Sequence, residues 1–169
     1  LQFPARFQLI AAMNPCPCGF HGDRDHDCHC SGDRVAGYRA KISGPLLDRI
    51  DLHVEVLRPP VHVLRDREQS GEDSATVAER VQRAQALQVE RAGIANARLE
   101  GNDLDTFCEL DDEGWRLLET ATERFNLSAR SHHRVLRVSR TIADLAVSKK
   151  IAPPHVAEAL SLRCFDRRP

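Results

Sequence analysis

The sequence predicts an α/β portion followed by an all-α portion. Three observations lead there. Residues 7–13, FQLIAAM, form a continuous apolar run closed by Asn14-Pro15, the pattern of a strand buried on both faces of a parallel sheet. Residues 51–56, DLHVEV, alternate and are rich in β-formers, which predicts a second strand. From Ser74 onward the apolar residues recur at helical spacing and the breaks carry cap residues. Three segments are therefore expected: residues 1–57 with α/β character, a linker over 58–73 that opens on Arg58-Pro59-Pro60, and a helical domain over 74–169. Two doubly buried strands need partners that no other segment supplies. The chain also lacks an initiating Met, so it reads as a piece of a longer polypeptide.

The elements follow in order. A short helix is expected over 33–42, between Gly32 and Gly44, and a helical turn over 45–50. A long helix opens near Ser74 and presents Val77, Val81, Ala84 and Leu87. Gly101-Asn102-Asp103 marks a pause, then a short helix runs down to Cys108. Asp111 or Asp112 caps the next helix, which carries Trp115, Leu118 and Ala121 and ends near Asn126. Ser128 caps a helix running to about Val147, with Val135, Val138, Ile142 and Leu145 as its apolar stripe. Pro153-Pro154 opens a last helix through Leu162, where the first turn tolerates proline.

Charge is balanced overall and uneven locally. The 24 basic side chains nearly cancel 25 acidic ones, leaving −1, so global charge argues neither for nor against nucleic acid. Lysine occurs at Lys41, Lys149 and Lys150 alone; the remaining cations are arginines, whose planar fork suits phosphate and carboxylate. At about 100° per residue, Arg130, Arg134 and Arg137 fall within roughly 60° of one another. No acid lies between Arg130 and Thr141, so that face is locally basic. His132 and His133 beside it read as surface residues without a role. No apolar run approaches membrane-span length and no secretory leader is visible, so neither a membrane protein nor an exported one is expected.

Four of the six cysteines crowd into one stretch, as Cys16-Pro17-Cys18 and Cys28-His29-Cys30. In extended chain, residues i and i+2 point the same way, so each pair can aim two sulfurs at one point. Together they can supply the four thiolates of a closed tetrahedral zinc site. Gly19 and Gly22 allow the chain to turn back between the pairs. Two alternatives stay open: His21, His26 or His29 replacing a thiolate, and disulfides. With no export signal, zinc is the expected occupant. A four-thiolate site has no open position for water, so its expected job is to pin a loop. Cys108 and Cys164 stand alone within helical patterns and read as small buried hydrophobes.

Residues 3–19, FPARFQLIAAMNPCPCG, closely resemble the magnesium-chelatase-like AAA+ ATPases of the ComM (YifB) family. The resemblance continues through 43–56, SGPLLDRIDLHVEV. It resumes at Leu127-Ser128-Ala129-Arg130, at residues 134–138 and at 140–145. It implies the end of an AAA+ core and a helical lid, a ring-forming ATPase using ATP and Mg²⁺, and a DNA helicase that drives branch migration of recombination intermediates during natural transformation. Branched or single-stranded DNA is the implied partner and the bacterial cytoplasm the implied location. The resemblance makes Asn14 the sensor-1 residue, orienting the attacking water near the γ-phosphate. Arg49 becomes the arginine finger, reaching the nucleotide of a neighbouring subunit. Arg130 becomes the sensor-2 arginine, at a helix start that already favours anions. A local salt bridge to Asp48 or Asp51 is the plainer alternative for Arg49.

The sequence also departs from the family pattern. No Gly is followed by Lys, so the phosphate-cradling loop is not in these residues, and no apolar strand ends in Asp-Glu. Cys108-Glu109-Leu110-Asp111-Asp112-Glu113 mimics that ending without the strand. By itself the 169-residue chain is therefore expected neither to bind ATP tightly nor to hydrolyse it. Arg24, Arg34 and Arg39 around the cysteine loop are diluted by Asp23, Asp25, Asp27 and Asp33, which makes phosphate binding there a weak expectation. Trp115, Tyr38 and six Phe offer no evident platform for stacking bases. Two other functions compete: a chelatase-type motor subunit serving tetrapyrrole synthesis, and a zinc-stabilised interaction module without catalytic duty.

Overall fold

The computed structural model describes residues 7–59 and 71–163. Cys164 and most of the expected linker lie outside them. The described residues fall into two compact units that divide between Ser43 and Gly44.

The first unit is a loop followed by one helix, α1 (Gly32–Arg39), which Ser31 opens by accepting from the Arg34 amide. It stops short of the expected Ile42, and the chain continues in tight turns that Lys41 and Ile42 close onto Tyr38 and Arg39.

The second unit is helical. It opens with one turn, α2 (Gly44–Leu47). Helix α3 (Ser74–Ala92) starts on Asp73, which accepts from the Thr76 amide at 2.7 Å, and stops at Gly93, whose φ of +72° suits a residue without Cβ. A single 3₁₀ turn, Asn96–Arg98, leads to α4 (Asn102–Phe107). Helix α5 (Asp112–Phe125) begins on Asp111, which accepts from the Gly114 amide, and ends on Asn126 at φ +48°. Helix α6 (Ala129–Leu145) begins on Ser128, whose hydroxyl accepts from the Ser131 amide at 3.1 Å. Helix α7 (Pro153–Ser161) carries its prolines in the first turn, and His155 Nδ1 accepts from the Ala152 amide.

Helix α6 is the hub: it packs against α3, the 3₁₀ turn, α4 and α7, while α5 packs on α7. Leu99, Leu118, Val135 and Val156 are fully buried at the centre, with Cys108 beside them as expected of a small buried hydrophobe. Burial pushes the Cys108 thiol up to about 11.

Two expectations are corrected. Neither strand forms among the described residues; residues 7–14 are irregular, and 51–56 contribute a lone parallel bridge from His53 to Arg163. A strand is held by a ladder to a neighbour and by burial of its faces. Neither is supplied here: Phe7, Ile10, Val54 and Val56 are all strongly exposed. The second correction concerns α6. Of the expected stripe Val135 is buried and Val138 and Ile142 pack half-buried against the core, but Leu145 is exposed, and the buried face runs instead through Leu136, Ser139, Arg140, Ala143 and Asp144. The face turns because Arg140 and Asp144 are drawn inward by a polar network that offsets their desolvation.

Candidate functional site

The cysteine loop gathers its thiols by local turns. Cys16 accepts from the Gly19 amide, Gly19 and Gly22 adopt φ near +85°, and Asp23 Oδ1 accepts from the amides of Asp25 and His26. The chain thus reverses and brings Cys28 and Cys30 back to Cys16 and Cys18. All four sulfurs lie within 4.8 Å of one another. Three of the separations are 3.3, 3.7 and 3.6 Å. A tetrahedral tetrathiolate with metal–sulfur bonds of about 2.3 Å has sulfurs about 3.8 Å apart. The cysteines are free thiols, Cys16 is fully buried, and the set can hold a metal ion. The histidines weighed as substitutes stay out of the cluster; His26 stacks on Phe20 and faces Asp23.

Four thiols so close cannot all ionise freely. The Phe20 amide and the neighbouring Cys16 draw Cys18 down to about 6. At Cys28 the Cys30 amide acts downward, but desolvation and the Cys18 and Cys16 sulfurs outweigh it and push the thiol up to about 12. A bound cation removes this conflict by favouring every thiolate at once.

Asn14 lies just before this loop, exposed, with no side-chain hydrogen bond among the described residues. It belongs to the first unit; Arg49 and Arg130 belong to the second. In that second unit the turn after α2 is fastened to the start of α6. Asp48 Oδ1 accepts from the hydroxyls of Ser128 at 2.8 Å and Ser131 at 2.5 Å, and Oδ2 accepts from Arg130 at 3.2 Å. Desolvation acts upward on the Asp48 carboxyl, but the bonds from Ser131, Ser128 and Arg130 hold it below the ordinary carboxylate range. Arg134 pairs with Asp51. Buried Arg163 donates to the carbonyls of Ile50 and Asp51 and to the Ser131 hydroxyl.

This arrangement leaves Arg49 open. The acids that the plainer reading assigned to it are occupied elsewhere, its guanidinium donates to the Pro45 carbonyl at 3.2 Å, and the side chain is exposed. Arg130 is also exposed, at 55%, despite its pairing with Asp48. Arg130, Arg134 and Arg137 line one depression of about 470 Å³ with His133, Glu100 and Gly101. Burial and the nearby Arg134 push the Arg137 guanidinium below its usual value. The arginines expected on one face do share one concavity, and Arg137 also donates to the Leu99 carbonyl.

Residues 1–64 match the family model of magnesium chelatase, subunit ChlI, and residues 71–163 match that of the same subunit's C-terminal part. The chain belongs to the magnesium chelatase subunit ChlI family. Within that family it is 45% identical to competence protein ComM of Haemophilus influenzae over 99% of its own length and 32% of the relative's. It is 42% identical to the YifB protein of Salmonella typhimurium and 41% identical to that of Escherichia coli, each over 99% of this chain and 33% of the relative. The chain thus spans about a third of the length of the curated relatives it matches. Among the described residues no helix is long and apolar enough to cross a membrane, and the region matching the ChlI C-terminal model is helical, as its apolar spacing predicts.

Asp48, Ser131 and Arg163 were missed in the sequence. The one available signal was the hydroxyl at Ser131, three residues after the cap and on the same face. An acid some eighty positions earlier has no periodic signature.

Proposed function

We propose that this chain is the sensor-1-to-lid portion of an AAA+ ATP-driven DNA motor of ComM type, acting in the bacterial cytoplasm on branched or single-stranded DNA. The carrying observation is that Arg49 is exposed and free of the nearby acids, on a turn fastened to the helix that Arg130 opens. Arg130, at a helix start with free amides, suits the phosphates of the subunit's own nucleotide. Arg49, exposed and unpaired with the nearby acids, suits the nucleotide of a neighbour in a ring, where it neutralises charge as the phosphoryl group leaves. Asn14 carries an amide that can both donate and accept, as orienting a water requires. ATP and Mg²⁺ serve the complete protein; the 169-residue chain by itself, without a phosphate-cradling loop, leaves ATP intact.

In the same reading the four cysteines hold a structural Zn²⁺ that fixes the loop following Asn14. Zinc there supplies a rigid tether and no reaction step. The likeness to competence protein ComM over nearly the whole chain supports this reading over the chelatase alternative, which rests on the family name alone.

Hydrolysis and unwinding of a branched DNA by the full-length protein test this reading. Arg49→Ala should lower kcat by about 10³-fold or more, the scale of an arginine finger, without a matching rise in KM. Mixing Arg49→Ala subunits with Arg130→Ala subunits should restore part of the turnover, because one of the two orders of mixed interface pairs an intact Arg130 with a neighbour's intact Arg49, while the other order lacks both. Full activity of either single variant, or no recovery on mixing, overturns the assignment.

A further inference from the structure

The proposed finger and the proposed nucleotide sensor share one carboxylate. Asp48 immediately precedes Arg49, and its two oxygens are divided between two kinds of partner. Oδ1 takes the hydroxyls of Ser128 and Ser131, neutral donors at the cap and first turn of α6. Oδ2 takes the guanidinium of Arg130. Ser131 is itself buried and held by Arg163, which also grips the carbonyls of Ile50 and Asp51. The hydroxyl side of Asp48 is thus part of a fixed mount. The charged side is looser, since Arg130 is 55% exposed and a single hydrogen bond joins it.

We infer that Asp48 is a positioning residue with two separable jobs, in a proposal that rests on the roles given above to Arg49 and Arg130. Through Oδ1 it fixes the turn that aims Arg49. Through Oδ2 it holds Arg130 while the subunit's own site lacks nucleotide. Phosphate oxygens and the Oδ2 of Asp48 then compete for the charge of one guanidinium, so nucleotide binding weakens the Arg130–Asp48 pair. Arrival of nucleotide thereby leaves Asp48 Oδ2 without its cation, beside the turn that carries Arg49. The exchange needs no large motion: one anion replaces another on an exposed side chain, and the serine bonds keep the turn in place.

The two jobs come apart in steady-state ATP hydrolysis by the full-length protein. Asp48→Asn keeps an oxygen for the serines and removes the charge facing Arg130. KM for ATP should fall by about two- to five-fold, the range an exposed charge pair supplies. Ser131→Ala leaves the Arg130 pair and loosens the mount. Its kcat should fall at least about ten-fold, as misplacing a reacting group does, while KM stays within about two-fold of the parent. Loss of folded protein lowers the apparent kcat and leaves KM unchanged, so kcat is referred to folded protein measured by circular dichroism. The fall in KM of Asp48→Asn is a change that destabilisation does not produce. An unchanged or raised KM in Asp48→Asn, or a kcat in Ser131→Ala equal to the parent, overturns the inference. Arg49→Ala and Arg130→Ala measured alongside separate the two levels. If those are impaired and the Asp48 pattern is missing, the inference alone falls; if they behave as the parent, the underlying reading falls with it.

Discussion

Asp144 and Arg91, 53 positions apart in sequence, are joined by two parallel hydrogen bonds of 2.6 and 2.8 Å inside the helical unit. The same carboxylate takes the amide of Asn96 at 2.8 Å and lies 3.1 Å from Arg140. Arg140 in turn caps the carbonyls of Ser148 and Lys149. One buried anion therefore ties α3, the 3₁₀ turn, α6 and the segment after α6 into a single frame. That frame sets the direction in which the first turn of α6, with Ser131 and Arg130, leaves the core.

Removing one member of such a network leaves its partners charged and dry. Asp144→Ala should cost about 3–5 kcal/mol, the range for breaking a buried pair. Replacing Leu145 next to it, which is exposed, should cost about 0.5 kcal/mol or less. Urea unfolding followed by circular dichroism measures both. Equal effects at the two positions would show that the network contributes no more than surface contacts.

The same carboxylate sets a pH limit. Desolvation acts upward on Asp144, but Arg91, Asn96 and Arg140 outweigh it and hold its folded-state pKa below the ordinary value. A depressed carboxylate contributes stability above its unfolded pKa of about 3.9 and loses it as pH falls through the folded value. Asp48 is shifted in the same direction. The helical unit should thus hold its stability from neutral pH down to about 4 and weaken below it. Asp144→Asn should be less stable at neutral pH and show a shallower acid limb. A parallel pair of stability–pH curves would remove Asp144 from the cause.

Val147 gives a prediction of opposite sign. It follows α6 at φ +54°, where a β-branched residue is strained, and it is 74% exposed, so little packing is at stake. Its position lets the Ser148 amide reach back to the Ala143 carbonyl at 2.8 Å and close the helix end. Val147→Gly should relieve the strain and raise stability by about 0.5–1 kcal/mol after the added chain entropy is subtracted. A lower melting temperature in that variant would count against the strain.

Much of the helical unit was legible because its signals are local. Asp111 and Ser128 announce helix starts, Asn126 a stop, and Pro153-Pro154 a first turn, whereas Asp73 and Gly93, which bound α3, were passed over although their signals are as local. The cysteine pairs were legible for the same reason, since i,i+2 spacing is geometry within one short segment. The apolar runs at 7–13 and 51–56 misled, because an apolar pattern reports what a strand would bury and says nothing about whether a neighbour is there to pair with it. The inward turn of Arg140 and Asp144 was hidden too. Both look like surface residues until Arg91 and Asn96, from elsewhere in the chain, arrive to satisfy them. Asp48 escaped for that reason as well: its partners are eighty and more positions away.

The cysteine loop carries the last prediction. Its unit has one short helix and few buried apolar side chains, with Cys16 and Val35 the buried hydrophobes among its described residues. Such a unit lacks the core to hold four thiols within 4.8 Å of one another, three of them 3.3 to 3.7 Å apart, against their own repulsion once ionised. A tetrahedral cation, as proposed, would supply what the core does not. Elemental analysis of freshly purified protein should give one zinc per chain, and cobalt substitution should give the intense visible bands of a tetrahedral thiolate site. Cys28→Ser should weaken metal retention and raise the protease sensitivity of the segment between Cys18 and Cys28, while the far-ultraviolet signal of the helical unit changes little. Metal-free protein with the loop still protease-resistant would mean that Phe20, His26 and the Asp23 turn hold it without help.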